Sequence, residues 1–194
     1  MSRKGITMKL ATKLAILINA SIVGFGAFVL VQHDREIREA QEAADRVVAQ
    51  VVAQMEQAKQ HQCLAMNIYH EARNEGIQGQ RAVAWATLNR VADTKYPNTV
   101  CEVVYQSEKD EDGNPVRNRC QFSWFCDGKS DEIHNQASWN IASDIAQDVM
   151  NKYGNETDPT GGSIMYHADY VNPFWASSYK REVQIDTHVF YVRG

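Results

Sequence analysis

From His33 to Gln62 the chain runs for thirty residues, HDREIREAQEAADRVVAQVVAQMEQAKQHQ, with no proline and no glycine. Alanine, glutamine and glutamate lose little side-chain freedom in a helix, so the stretch is helical by propensity. Ile37, Ala44 and Val51 recur at intervals of seven, with Val48 and Met55 on the neighbouring line. That spacing suits self-association as a short coiled coil or stalk, and equally a solvated spacer. Neither reading carries chemistry, so a catalytic or binding domain has to be sought elsewhere. The texture changes at Cys63 to aromatics, glycine punctuation and mixed patterns, which divides the chain into residues 1–32, 33–60 and 61–194.

The first division holds Arg3, Lys4, Lys9 and Lys13, then LAILINASIVGFGAFVLV from Leu14 to Val31, an uncharged run of eighteen residues. Such a run is just long enough to span a bilayer. Basic residues before it favour a cytoplasmic N-terminus and an exported remainder, and no A-x-A cleavage site follows it. The expectation is a retained signal anchor rather than a cleaved signal peptide: a single pass through the inner membrane, with the catalytic domain in the periplasm or exported. All four cysteines, Cys63, Cys101, Cys120 and Cys126, lie beyond this run, as suits an oxidising compartment. Four cysteines allow three pairings; the expectation is two disulfides, one of them Cys101–Cys120 closing a polar loop. No CxxC pair is present, which argues against a structural zinc site, and no cofactor is expected. Net charge is −4 with no basic run past the N-terminus, which argues against nucleic acid as a partner.

In the last division, Leu64 to Asn74 reads as a helix stopped by Gly76 and Gly79. QRAVAWATLNRV, residues 80–91, is apolar on nearly every side and predicts a helix in the centre of the domain. Thr99 and Glu102 form a T-x-x-E capping box opening a short helix. Residues 107–119 are polar and loop-like. A long helix is expected over about 136–153, with Ile141, Ile145 and Val149 as its stripe and Gly154 as its stop. SIMYH and REVQIDTHVFYVR alternate as strands, the second placing Val183, Ile185, Val189 and Tyr191 on one face. Helices first and a small antiparallel sheet last give an α+β fold that is mainly helical.

Within NIYHEARNEG, residues 67–76, two carboxylates break this pattern. At about 100° per residue from Leu64, Ile68 falls near about +40°, Glu71 near about −20° and Glu75 near about +20°. Both acids sit on the apolar stripe, and Arg73 points to the opposite side. An acid in an apolar wall that lacks a cationic partner holds its proton towards neutral pH, as a general acid must. Position nominates Glu71 first, because Glu75 lies at a fraying end where a loop-binding carboxylate is common. His70-Glu71 does not open an H-E-x-x-H zinc motif, since Asn74 stands where the second histidine belongs.

IYHEARNEGIQGQRAVAWATLNRV, YPNTVCEVVYQ, CQFSWFCDG and TGGSIMYHADYVNPFWA with THVFY occur in the order seen in SleB/CwlJ-type cell wall hydrolases, the spore-cortex-lytic enzymes and their bacterial and phage relatives. The resemblance covers roughly residues 63–192, and four blocks in register make it specific. It implies a lysozyme-like catalytic domain and cleavage of peptidoglycan between N-acetylmuramic acid and N-acetylglucosamine. It also implies that Glu71, in the position of the family's Y-x-E-A-R acid, is catalytic. Where the family reads E-A-R-G-E this chain has Asn74, which also tolerates the left-handed backbone.

Glycan cleavage needs a donated proton and a stabilised oxocarbenium-like centre. A muramidase uses a second carboxylate, for which Glu75 or Asp127 are candidates; a lytic transglycosylase manages with one, and the resemblance leans towards it. Gln121 and Ser123 offer hydrogen bonds and Phe122 and Trp124 flat apolar surfaces suited to sugar rings. Tyr166 and His167 end a strand and are candidates to line the same cleft. The competing readings are a non-catalytic peptidoglycan-binding scaffold and a stem-peptide amidase.

Overall fold

The computed structural model describes the backbone of residues 3–194 and the side chains of residue 13 and residues 23–194. The chain divides into two units, residues 1–54 and 55–194. Helix α1 (Arg3–Ala72) supplies the whole described backbone of the first unit. Every described side chain there except Gln32 is exposed, Ile37, Val48 and Val51 among them. Among the described residues no helix is long and apolar enough to cross a membrane. The anchor expected over Leu14 to Val31 falls partly outside them, since the side chains of residues 14–22 are not described.

In the second unit, burial begins at Cys63 and alternates with the helical period, so that Leu64, Ile68 and Ala72 are almost fully enclosed. Helix α2 (Ile77–Ala92) is central. Its Ala82, Val83, Ala84, Trp85 and Ala86 are all buried, because small side chains let neighbouring elements approach on every side. Helix α3 (Val100–Val104) opens with Thr99 Oγ1 accepting the Glu102 N–H, as the capping box requires. Helix α4 (Gln136–Lys152) is capped by Asn135, whose side chain accepts from the Ser138 N–H. Its buried stripe is Ala142, Ile145, Ala146 and Val149; Ile141, expected in that stripe, is 42% exposed. Gly154 follows with φ +80°, the left-handed stop expected there.

Three expectations need correction. Residues 107–120 form a hairpin rather than a loop, with β1 (Ser107–Lys109) antiparallel to β2 (Pro115–Cys120). Its side chains are exposed or half-buried, so no apolar alternation marks it. The disulfides are Cys63–Cys101 and Cys120–Cys126, in place of Cys101–Cys120. Cys101 lies on the buried side of α3 beside α1, while the hairpin pairs Cys120 with Ser107. REVQIDTHVFYVR, finally, is two strands: β3 (Met165–Ala168) pairs with β5 (His188–Val192), which pairs with β4 (Lys180–Ile185).

Asp186, at φ +49°, turns the chain between β4 and β5. Because Val183 lies opposite Phe190 and Ile185 opposite His188, Val183 and Ile185 share a face with Phe190, not with Val189 and Tyr191. That face, with Tyr166 opposite Phe190, packs on Ala72, Ala82, Val83 and Ala86 as a second, smaller core. The β4–β5 turn is fastened to the start of α2, where the Gly79 N–H donates to Asp186 Oδ2 at 3.0 Å. A Cβ on Gly79 would stand 2.6 Å from that oxygen, so the close approach needs glycine.

Candidate active site

The last turns of α1 put three successive side chains to work. Tyr69 is buried, and its hydroxyl accepts the backbone N–H groups of His134 and Asn135 at 3.2 and 3.1 Å, which holds the 127–135 segment over the helix. The His70 ring stacks on Trp124 at 4.5 Å between centroids. Glu71 keeps partial exposure at the wall of a cleft of about 430 Å³. The cleft is lined further by Arg73, Ser123, Asp127 and Asp131, which puts chemistry from α1 and from the 123–131 segment on opposite sides.

Behind Glu71 stands β3, whose Tyr166 hydroxyl donates to Glu71 Oε2 at 3.1 Å. Burial raises the Glu71 carboxyl above its ordinary 4.5, with the Tyr166 hydrogen bond and the Arg90 charge pulling the other way. Tyr166 is itself pushed well above 10.0 by burial and by the adjacent acid, so it stays a hydrogen-bond donor. β3 is held in place from α2. Arg90 Nε donates to the Ile164 carbonyl at 2.6 Å, and Asn89 Nδ2 donates to the Ser163 carbonyl at 3.0 Å and to Asp158 Oδ2 at 2.8 Å.

The second acid has a different setting. Glu75 accepts the Thr187 N–H at 3.1 Å and the Thr187 hydroxyl at 2.6 Å. Burial raises its carboxyl, but the two Thr187 hydrogen bonds and the His188 charge outweigh this and leave it below 4.5. Arg73 is exposed and lies over the Tyr69 ring, 5.1 Å from its centroid, forming no ion pair with either acid. Asn74 keeps a negative φ: Asn118 and Asp186 are the non-glycine residues at positive φ among those described.

The structure therefore brings Glu71, Ser123, Trp124 and Asp127 to one cleft with Tyr166 directly behind the acid. Trp124 is mostly buried, its indole N–H donating to Asn67 Oδ1 at 3.0 Å. Asp127 accepts the Lys129 N–H at 2.8 Å and pairs with its ammonium group at 3.4 Å. Phe122 is buried under the Arg90 guanidinium, and Gln121 faces a separate shallow depression beside the β1–β2 hairpin. His167 points to the opposite face of the sheet from Tyr166, where Nε2 meets the Tyr191 hydroxyl at 2.8 Å. Among the described residues no group of three or more His, Cys, Asp or Glu is arranged to hold a metal ion.

His70, Asp131 and Arg90 are additions the sequence reading did not make. His70 reads as a residue facing away from the stripe, yet the 123–131 segment folds back to meet it. Burial lowers its pKa from 6.5, opposed by the proximity of Asp131. Arg90 had only a weak signal, since α2 also carries Arg81, which reaches Asp148 and Glu156 instead of the interior.

A family model described as cell wall hydrolase matches residues 74–191, more than half of the chain. The chain belongs to the cell wall hydrolase family. Among curated relatives it is similar to a spore cortex-lytic enzyme of Oceanobacillus iheyensis, 28% identical over 130 residues that make up 66% of this chain and 40% of that protein. A spore cortex-lytic enzyme of Bacillus cereus is likewise 28% identical over 66% of this chain and 42% of its own length. The chain thus spans about two fifths of the curated relatives it matches. Among solved structures it resembles the catalytic domain of the germination-specific lytic transglycosylase SleB from Bacillus anthracis. That likeness has a TM-score of 0.52 at 28% identity, covering 69% of this chain and 93% of the other.

Proposed function

We propose that this cell wall hydrolase domain cleaves the glycan strand of peptidoglycan between N-acetylmuramic acid and N-acetylglucosamine, with Glu71 as the proton donor. The observation that carries the reading is a single one. Glu71 opens into the cleft, burial favours its protonated form, and its one hydrogen bond among the described residues comes from Tyr166. The family match begins at Asn74, so the role of Glu71 rests on these surroundings. Protonated Glu71 gives its proton to the glycosidic oxygen as the bond to the muramic C1 breaks, and the carboxylate left behind faces an oxocarbenium-like centre.

A single-carboxylate route is favoured from there. Glu75 is engaged by Thr187 and Asp127 by Lys129, so neither is as free as Glu71. The Glu71 carboxylate takes the proton from the C6 hydroxyl of the muramic residue as that oxygen attacks C1, which closes a 1,6-anhydro ring and restores the acid. Solubilised fragments of purified sacculi, analysed by mass, test this. Anhydromuramyl ends support the transglycosylase, and reducing ends convert the reading to a muramidase. Free stem peptides with intact glycan, or binding without release, overturn it. Glu71→Gln is expected to lose most of its fragment release while keeping its fold.

The same reading places the domain outside the cytoplasm, tethered through the N-terminal helix. Val23, Phe25, Phe28, Val29, Leu30 and Val31 are all exposed on that helix, and a bilayer would cover them. Membrane flotation of the intact chain tests this part, and a chain that stays with the unbound fraction overturns it.

A further inference from the structure

Arg90 is the most enclosed cation of the second unit, 3% exposed. Among the described residues it forms no ion pair. Its Nε is satisfied by the Ile164 carbonyl, while Nη1 is buried without a partner. Three aromatic rings surround the guanidinium: Phe122 at 4.8 Å, Tyr166 at 5.6 Å and Tyr96 at 5.7 Å from ring centroid to Cζ. Ring faces repay part of a buried cation's desolvation, but they are poorer company than a carboxylate. A chain that needed only a tether for β3 would hold the Ile164 carbonyl with a neutral donor.

The Tyr166 side chain resolves the oddity. Its ring lies against Arg90, and the hydroxyl on the same ring donates to Glu71. The geometry points to Arg90 as a positioning residue for the reaction proposed above: a buried positive charge, set behind Tyr166, that stabilises the Glu71 carboxylate each time the proton leaves it. The inference rests on that reading for its catalytic meaning, and on the Arg90–Tyr166–Glu71 arrangement for its electrostatics. Direct pairing would strip the proton from Glu71 and leave no acid. A ring between them keeps the attraction without the ion pair.

Other charges face the site too. His188 on β5 lies edge-on to Tyr166 at 5.3 Å. On α1 itself stand His70 and Arg73, and across the cleft Asp127 and Asp131, with Lys129 exposed beside them. His188 is buried as well, but burial lowers its pKa and favours the neutral ring, whereas the Arg90 guanidinium keeps its charge away from water, where its field is little screened.

The test is a site-resolved carbon NMR titration of the Glu71 carboxyl in the 194-residue chain, with the pH profile of sacculus digestion beside it. Arg90→Gln keeps a donor for Ile164, and Arg90→Met keeps an apolar body among the rings; both remove the charge. In each, the Glu71 titration and the alkaline limb of the activity profile are expected to move to higher pH. Arg90→Lys keeps the charge and loses the fork, and it is expected to titrate Glu71 as the wild type does. An unchanged titration in the neutral variants overturns the proposal. So does a displaced one in Arg90→Lys, which remains decisive if the neutral variants do not fold. The titration needs no substrate, so its outcome stands even if Glu71→Gln retains activity and the catalytic reading fails.

Discussion

Glu71 and Glu75 lie four residues apart, the first on the last turn of α1 and the second in the turn past its end at Ala72, and the two regions they enter could hardly treat a carboxyl more differently. Around Glu71 the chain withdraws water and offers one hydroxyl, with the buried Arg90 guanidinium set behind the Tyr166 ring. Around Glu75 the β4–β5 turn offers a backbone N–H and a hydroxyl from one residue, Thr187, while the side chain stays wetter. The first setting favours the acid and the second the carboxylate. Sequence position alone does not make a buried acid reactive; the number of donors that meet it does.

The largest expected effect is on turnover. Glu71→Gln should lower sacculus digestion by roughly 10²- to 10⁴-fold, the usual worth of a positioned acid, while Glu75→Gln should stay within a few-fold of wild type. Comparable losses in the two variants would break the comparison. Tyr166→Phe comes next: it deletes the donor to Glu71, costing about 1.5 kcal/mol for a hydrogen bond to a charged group, or about tenfold in rate. The alkaline limb of its activity profile should move up, because that hydrogen bond holds the Glu71 pKa down.

Stability against pH sharpens the contrast further, and the signs are opposite. The raised Glu71 pKa favours the folded state below 4.5, and that contribution is lost as pH rises through the folded value. Glu71→Gln should therefore gain on wild type in thermal midpoint as pH rises from acid to neutral. The depressed Glu75 pKa contributes above 4.5 and is lost as pH falls through its folded value. Glu75→Gln should be less stable than wild type at neutral pH by about 1 kcal/mol, discounted for its exposure, with the gap closing in acid. Thermal melts of both variants from acid to neutral pH check this pair.

The side of α1 that carries Glu71 was legible because a charge on a helical stripe stands out against Leu64, Ile68 and Ala72. The Thr99 cap and the Gly154 stop were legible for a similar reason, since a local rule fixes each. What closes round Glu71 was harder to read. Tyr166 arrives from 95 residues away, and the pairing that aims it depends on which face β5 presents, reversed by the turn at Asp186. The β1–β2 hairpin left no apolar alternation because neither of its faces is deeply buried. Cysteine pairing follows from how α1 and α3 pack, which spacing does not encode. Arg90 was harder to single out, because α2 carries two arginines and only the packing encloses Arg90 while Arg81 pairs with Asp148.

A carbon-detected titration of both glutamate side chains in one sample tests the central claim most directly. The account predicts that Glu71 loses its proton above 4.5 and Glu75 below it, so that over an interval of pH the first is an acid while the second is a carboxylate. A Glu71 carboxyl that titrates at or below Glu75 would contradict it.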